Sequence, residues 1–170
     1  MKQVLSRARE MLENLTPLKS DCGRVCGAAC CRPLQEKSGE MTGMLLFPGE
    51  EEAYTDPGQW TIRSAPQGLM VVCSGFCRRE ERPLSCRIFP LLPVFRNGEI
   101  RAVTDLRAKA VCPLARQGRA ALDPAFREAV REAGEYLATD AEQAHFLHRL
   151  TEEQEELKRL RAEFGGNGHV

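Results

Sequence analysis

Apolar residues at Val4, Leu5, Ala8, Met11, Leu12 and Leu15 recur with the period of one helical face, which predicts an amphipathic helix over residues 2–15. Thr16-Pro17 stops it, because proline disfavours helix at the residue before it. Met44 to Phe47 is a short apolar run that reads as a buried strand, and Pro48-Gly49 leads into Glu50, Glu51 and Glu52, acids suited to the positive end of a short helix. Trp60 to Arg63 and Leu69 to Cys73 are strand-like and separated by the turn-rich residues 64–68. Between Pro83 and Pro90 the pattern fits a single short helix, with Pro83 in its first position. Asn97-Gly98 marks a hairpin between residues 94–96 and 99–104.

The last third reads as helix. Asp123-Pro124 forms an N-cap and first turn for a helix over about 124–138. Thr139 or Asp140 caps another that reaches about Glu163 and ends at Gly165-Gly166. Its stripe places Phe146, Leu147, Leu150, Leu157 and Leu160 on the buried side. Residues 34–43 read as a polar loop. The expected architecture is α+β: one domain over residues 1–170, with a loop-rich, metal-pinned core at about 20–115 and short antiparallel strands. Helices flank it at both ends, the C-terminal extension covering about 123–164.

Composition narrows the function. With 170 residues, 42% hydrophobic and 28% charged, the chain suits one folded domain. Its 24 basic and 24 acidic residues cancel, which disfavours a general nucleic-acid binder. No apolar run approaches the roughly 20 residues of a membrane helix. Met1 to Glu10 lacks a signal-peptide core, so the expected location is the cytoplasm. Charge is uneven along the chain: residues 78–131 hold 12 bases against 6 acids, and residues 132–163 hold 4 bases against 9 acids. These faces either neutralise each other inside the protein or leave a basic surface for an acidic protein partner.

Cysteine changes the picture most, with 8 in the chain. In a reducing compartment a dense thiol set more often binds metal than forms disulfides. Cys22, Cys26, Cys30 and Cys31 lie close together; Cys73, Cys77 and Cys86 form a second group, and Cys112 stands apart. Were residues 22–30 one helix, each four-residue step would rise about 6 Å and part the outer thiols by about 12 Å. That is too far for one zinc ion, whose bonds to sulfur are about 2.3 Å. Either Gly23 and Gly27 let the chain curl around one centre, or the thiols serve two. Arg78, Arg79, Arg82 and Arg87 surround the second group and offset the negative charge of thiolates. Arg82 and Arg87 are the candidates to hydrogen-bond ligated sulfur.

The run ending in Cys30-Cys31, then Gly75-Phe76-Cys77, then Arg82-Pro83-Leu84-Ser85-Cys86-Arg87-Ile88-Phe89-Pro90, resembles the YkgJ-like cysteine-cluster proteins, a zinc- or iron-chelating family with a CxxCxxCC signature. The resemblance spans roughly residues 20–115 and implies metal ligation by Cys22, Cys26, Cys30, Cys31, Cys73, Cys77 and Cys86, with Cys112 added. This chain spaces Cys22, Cys26 and Cys30 by three residues rather than two. Some larger proteins with similar cysteine patterns are protein lysine methylases associated with an iron–sulfur cluster.

No other chemistry competes. His145 and His148 sit at i, i+3 but on the side of the last helix away from its apolar stripe, so they read as solvent-facing, and no phosphate loop or nucleophile–His–acid set is present. The expected function is therefore a thiolate-held zinc ion or iron–sulfur cluster, with iron–sulfur preferred because the x3 spacings differ from the x2 knuckles of structural zinc. Two other readings stay open. One is a redox or group-transfer enzyme that uses the cluster or a thiol among Cys30, Cys31 and Cys112. The other is an interaction module whose metal is purely structural.

Overall fold

The computed structural model describes residues 2–32, 43–75 and 77–164, and their side chains except that of Cys73. The polar loop expected at 34–43 lies, except for Gly43, outside the described residues, as do Phe76 and the Gly165-Gly166 stop. The architecture is α+β, with short antiparallel strands between N- and C-terminal helices.

Helix α1 (Gln3–Met11) buries Leu5 and Ala8. It ends a turn earlier than the apolar stripe predicts. Beyond Met11 the backbone switches to i→i−3 bonds, Leu12 N to Arg9 O, Glu13 N to Glu10 O and Leu15 N to Leu12 O, and the Arg79 guanidinium donates to the carbonyls of Leu12, Glu13 and Leu15. Met44–Leu45 forms the two-residue strand β1, shorter than expected, and Leu46 and Phe47 are buried beyond it. Strands β2 (Trp60–Ala65) and β3 (Gly68–Cys73) form a hairpin that pairs Ala65 with Gly68, so the turn is only two residues and the strands run further than their patterns suggest. β3 lies between β1 and β2 in a three-stranded antiparallel sheet. Under it Leu46, Tyr54, Trp60 and Val71 make a small core of their own.

The main core lies elsewhere. Strands β4 (Leu91–Arg96) and β5 (Glu99–Thr104) form the second hairpin, turning at Asn97 (φ 53°) and Gly98 (φ 79°), the pair of left-handed residues that a tight two-residue turn requires. Helix α6 (Pro124–Leu137) starts at Asp123, whose carboxylate accepts from Ala125 N and Phe126 N, and packs on this hairpin and on α1. Helix α7 (Ala141–Phe164) packs on β4 and is capped by Asp140, which accepts from the Glu142 and Gln143 amides at 3.0 Å each. Phe146, Leu147 and Leu150 are buried as the stripe predicts, but Leu157 is only half-buried and Leu160 is exposed. Gln143 and Gln154 are buried in addition to them, each satisfying loop groups: Gln143 donates to Pro48 O at 2.8 Å, and Gln154 accepts from Leu106 N at 3.0 Å. The last turns of α7 leave the packed layer, which is why its final leucines stay wet. Two short helices that the sequence pattern does not predict, α4 (Ala108–Val111) and α5 (Pro113–Gln117), connect β5 to α6.

Part of the basic stretch pairs with the acidic one and part pairs within itself. Arg96 and Arg107 of the basic stretch bind Glu155 and Glu153 of α7, while Arg78, Arg101 and Arg131 pair with nearby glutamates. Among the described residues no helix is long and apolar enough to cross a membrane.

Candidate metal centre

The first cysteine segment folds as one helical turn followed by a reversal. Helix α2 (Cys22–Cys26) begins where the Asp21 carboxylate accepts from Gly23 N at 3.0 Å. It ends because Gly27 (φ 62°) and Ala28 (φ 54°) both adopt the left-handed conformation, which an α-helix cannot continue through. A short 3₁₀ turn over Ala29–Cys31 then brings the adjacent pair back, and Arg32 Nη2 closes the bend on Gly27 O at 3.1 Å. The three thiols are therefore not strung along one helix. Gly27 does the curling, and Gly23 stays within the helical turn.

The second group comes from two directions. Cys73 ends β3 in register with Trp60, and the chain continues through Gly75 (φ 92°) to Cys77. A 3₁₀ turn over Arg79–Glu81 follows, held by Glu81, which accepts from Arg78 N and from Gln59 Nε2 at 3.1 Å each. Helix α3 (Leu84–Ile88) carries Cys86, with Pro83 at its N-cap rather than in its first turn. Two contacts fix this helix against β1 and the acidic turn: Ser85 Oγ donates to Leu45 O, and Leu84 N donates to Glu50 Oε1 at 2.9 Å. Cys112 is buried at the junction of α4 and α5.

These segments surround one cavity of about 120 Å³. Cys22, Cys26, Cys30, Cys31, Cys77, Cys86 and Cys112 all line it, together with Trp60, Met44, Val71 and Arg82. Its volume is several times the roughly 30 Å³ of one water molecule, hence more than a single ion fills. Among the described residues no group of three or more His, Cys, Asp or Glu side chains is set closely enough to hold one metal ion. The thiols ring a space and do not meet at a point.

Electrostatics differ around the ring. Burial, then the neighbouring Cys26 and Asp21, push the Cys22 thiol up. Cys30 donates a hydrogen bond to Cys31, which holds Cys31 down, helped by the Arg82 guanidinium, and holds Cys30 up. Arg82 and Arg87, both expected beside sulfur, diverge. Arg87 is buried with its donors on the backbone carbonyls of Arg9, Glu80 and Arg82. Arg82 hydrogen-bonds the Cys77 sulfur, and its Nε is buried without a partner. The soft sulfur donors and this orphaned N–H suit an anionic, thiolate-rich centre.

His145 and His148 are exposed, away from the cavity lining, and His148 stacks on Phe95 with ring centroids 4.0 Å apart. Sequence reasoning missed Glu50, which braces the cavity from behind: it is fully buried and accepts from Phe47 N, Leu84 N and Arg9. Nothing in a run of three glutamates marks which one turns inward. Compared with protein-family models, curated proteins and solved structures, the chain matches none.

Proposed function

We propose that this protein is a thiolate metalloprotein that holds a zinc ion or an iron–sulfur cluster, with iron–sulfur the better fit. One observation carries the reading: thiols as far apart in sequence as Cys22 and Cys112 line a single cavity. Cysteines that served only as small apolar residues would have no reason to gather there, and only Cys112 among them is buried. The cavity exceeds one ion in size, and its arginine-bearing wall offsets the charge of several thiolates, which favours a cluster over a lone zinc. The resemblance of residues 20–115 to YkgJ-like proteins points the same way.

When bound, an iron–sulfur cluster supplies one-electron transfer or sensing, whereas zinc supplies rigidity. The chain's own part is to present sulfur from α2, the turn after it, Cys77, α3 and the α4–α5 junction, and to keep water from the buried Cys112 side. Reduced thiols in this number belong to a reducing compartment, which makes the cytoplasm the proposed location. An acidic protein partner would meet the basic stretch 78–131, where Lys109 and Arg116 are exposed on either side of Cys112 in the chain.

The test is metal and acid-labile sulfide content with the absorption spectrum, on protein purified without air. Iron and sulfide with a broad visible band establish the cluster. Colourless protein with stoichiometric zinc makes the site structural, and protein with neither overturns the reading. A second reading, group transfer at a reactive thiol, is favoured by the Cys30–Cys31 hydrogen bond that holds Cys31 down. A Cys31→Ser variant that keeps its metal and loses transfer activity would support it.

A further inference from the structure

Ion pairs hold many of the surface bases: Arg7, Arg96, Arg101, Arg107, Arg131 and Arg159 each pair with a glutamate. The bases around the thiol-lined cavity do not. Arg32, Arg79, Arg82 and Arg87 line it, and among the described residues none of them makes an ion pair and no carboxylate lines the cavity with them. Cys30 is exposed, so the cavity opens to solvent on the α2 side. The two thiol-bearing segments there carry further exposed bases. Residues 17–32, with Cys22, Cys26, Cys30 and Cys31, hold Lys19, Arg24 and Arg32, and residues 106–122, with Cys112, hold Lys109 and Arg116. None of these makes an ion pair among the described residues. Residues 106–122 contain no Asp or Glu, and Asp21, the only acid of residues 17–32, is engaged as the N-cap of α2. The mouth of the cavity therefore keeps a positive field that the rest of the molecule neutralises.

An apolar side chain stands in the same place. Val25 lies between Arg24 and Cys26 on α2 and is 67% exposed. The other exposed large apolar side chains among the described residues, Tyr136, Leu160 and Phe164, belong to α6 and α7. An apolar centre within a charged rim is the make-up of a protein docking patch; a free small anion would gain nothing from a valine that projects into solvent. We infer that the cavity mouth is a docking face for an acidic protein partner, which sets an apolar side chain on Val25 and carboxylates on Lys19, Arg24, Arg32, Lys109 and Arg116. What the partner does there, exchanging an electron or metal with the cavity, rests on the metal-binding reading above; the face itself rests on charge and exposure. Such charges act mostly on encounter, so docking is fast at low ionic strength and weakens as salt screens them.

The experiment titrates the full chain, purified without air and with its metal content recorded, with a random glutamate–tyrosine polypeptide. Amide chemical shifts map the contact and the titration gives Kd, at low and at high salt, with circular dichroism as the check on folding. Shifts are expected to concentrate on residues 19–32 and 106–118, and binding to weaken at high salt. Arg24→Glu and Lys109→Glu should each raise Kd about threefold or more, while Arg101→Glu, the same charge change on the second hairpin, should alter it far less. Val25→Ser should weaken the glutamate–tyrosine probe and leave polyglutamate unaffected. Shifts elsewhere, or reversals at Arg24 and Lys109 no worse than at Arg101, overturn the docking face. Single-stranded DNA or inorganic phosphate that displaces the probe as well as polyglutamate does, or a Val25→Ser variant that binds as the parent does, overturns the protein partner. A chain that carries metal and does not bind the probe overturns the face and leaves the metal reading standing. A chain that binds there without metal does the reverse.

Discussion

The Arg9 guanidinium and the Glu50 carboxylate form an ion pair inside the protein, Nη1 to Oε1 at 3.2 Å, with Glu50 fully buried. The same carboxylate accepts from Leu84 N, the first residue of the helix that carries Cys86, and from Phe47 N. Arg9 in turn donates to the Tyr54 hydroxyl at 3.0 Å and to Glu80 O at 2.9 Å. One buried pair therefore joins α1, the acidic turn and the wall of the candidate centre.

Removing the carboxylate should be costly. Glu50→Ala leaves a mostly buried guanidinium and two backbone N–H groups without their acceptor, and breaking a buried pair this way costs about 3–5 kcal/mol. Urea or thermal unfolding should show a loss of that order, and metal content should fall with it because α3 loses its anchor.

Glu50 also predicts a pH dependence. Burial pushes its carboxyl above the ordinary value, against the opposing backbone donors and Arg9. The folded state then holds this proton to higher pH than the unfolded chain, so the group's contribution to stability falls as pH rises from about 4.3 through the raised value. The stability advantage of the parent over Glu50→Gln should shrink across that window. An advantage that grows with pH would show that the donors, and not burial, set the proton affinity.

Gly134 gives a cleaner test of packing. A Cβ there would lie 2.5 Å from Pro93 Cβ and 2.9 Å from Ile100 Cγ2, so α6 touches the β4–β5 hairpin backbone to side chain. Gly134→Ala should destabilise by about 1–3 kcal/mol, despite alanine's better helix propensity, as measured by denaturant midpoint.

At Gly27 the expected loss is conformational. Its φ of 62° suits glycine, while a Cβ would meet only the flexible end of Arg32 at 3.2 Å. Gly27→Val should therefore cost about 1–2 kcal/mol or more through backbone strain, and it should reduce metal per chain by misplacing Cys30 and Cys31. Unchanged metal content would detach the curl from the site.

Chelation should act regionally. The main core joins α1, α6, α7 and the second hairpin without any thiol of the α2 turn among its fully buried members. Amide exchange after metal removal should rise over residues 22–31, 77–88 and 112, while α6 and α7 stay protected. Uniform loss of protection would mean that the metal holds the whole fold.

Much of this molecule is legible along the chain. Local signals act over a few residues and survive folding: the Asp123-Pro124 start of α6, the Asn97-Gly98 turn, the short α3 helix between prolines and the Phe146, Leu147 and Leu150 part of the α7 stripe. The number and spacing of the cysteines likewise mark a candidate site in one dimension. Tertiary contact decided the rest. It placed an arginine from far along the chain on the carbonyls after α1, turned one glutamate of three inward, and buried two glutamines beside Leu147 and Leu150 while leaving the later leucines of the stripe outside the core. It also separated Arg82 from Arg87, which carry the same charge in the same motif and differ only in what their donors reach. A linear pattern records which side chains are apolar or charged. Which buried donor finds an acceptor depends on backbone groups brought together from distant segments, and that pairing exists only once the chain has folded.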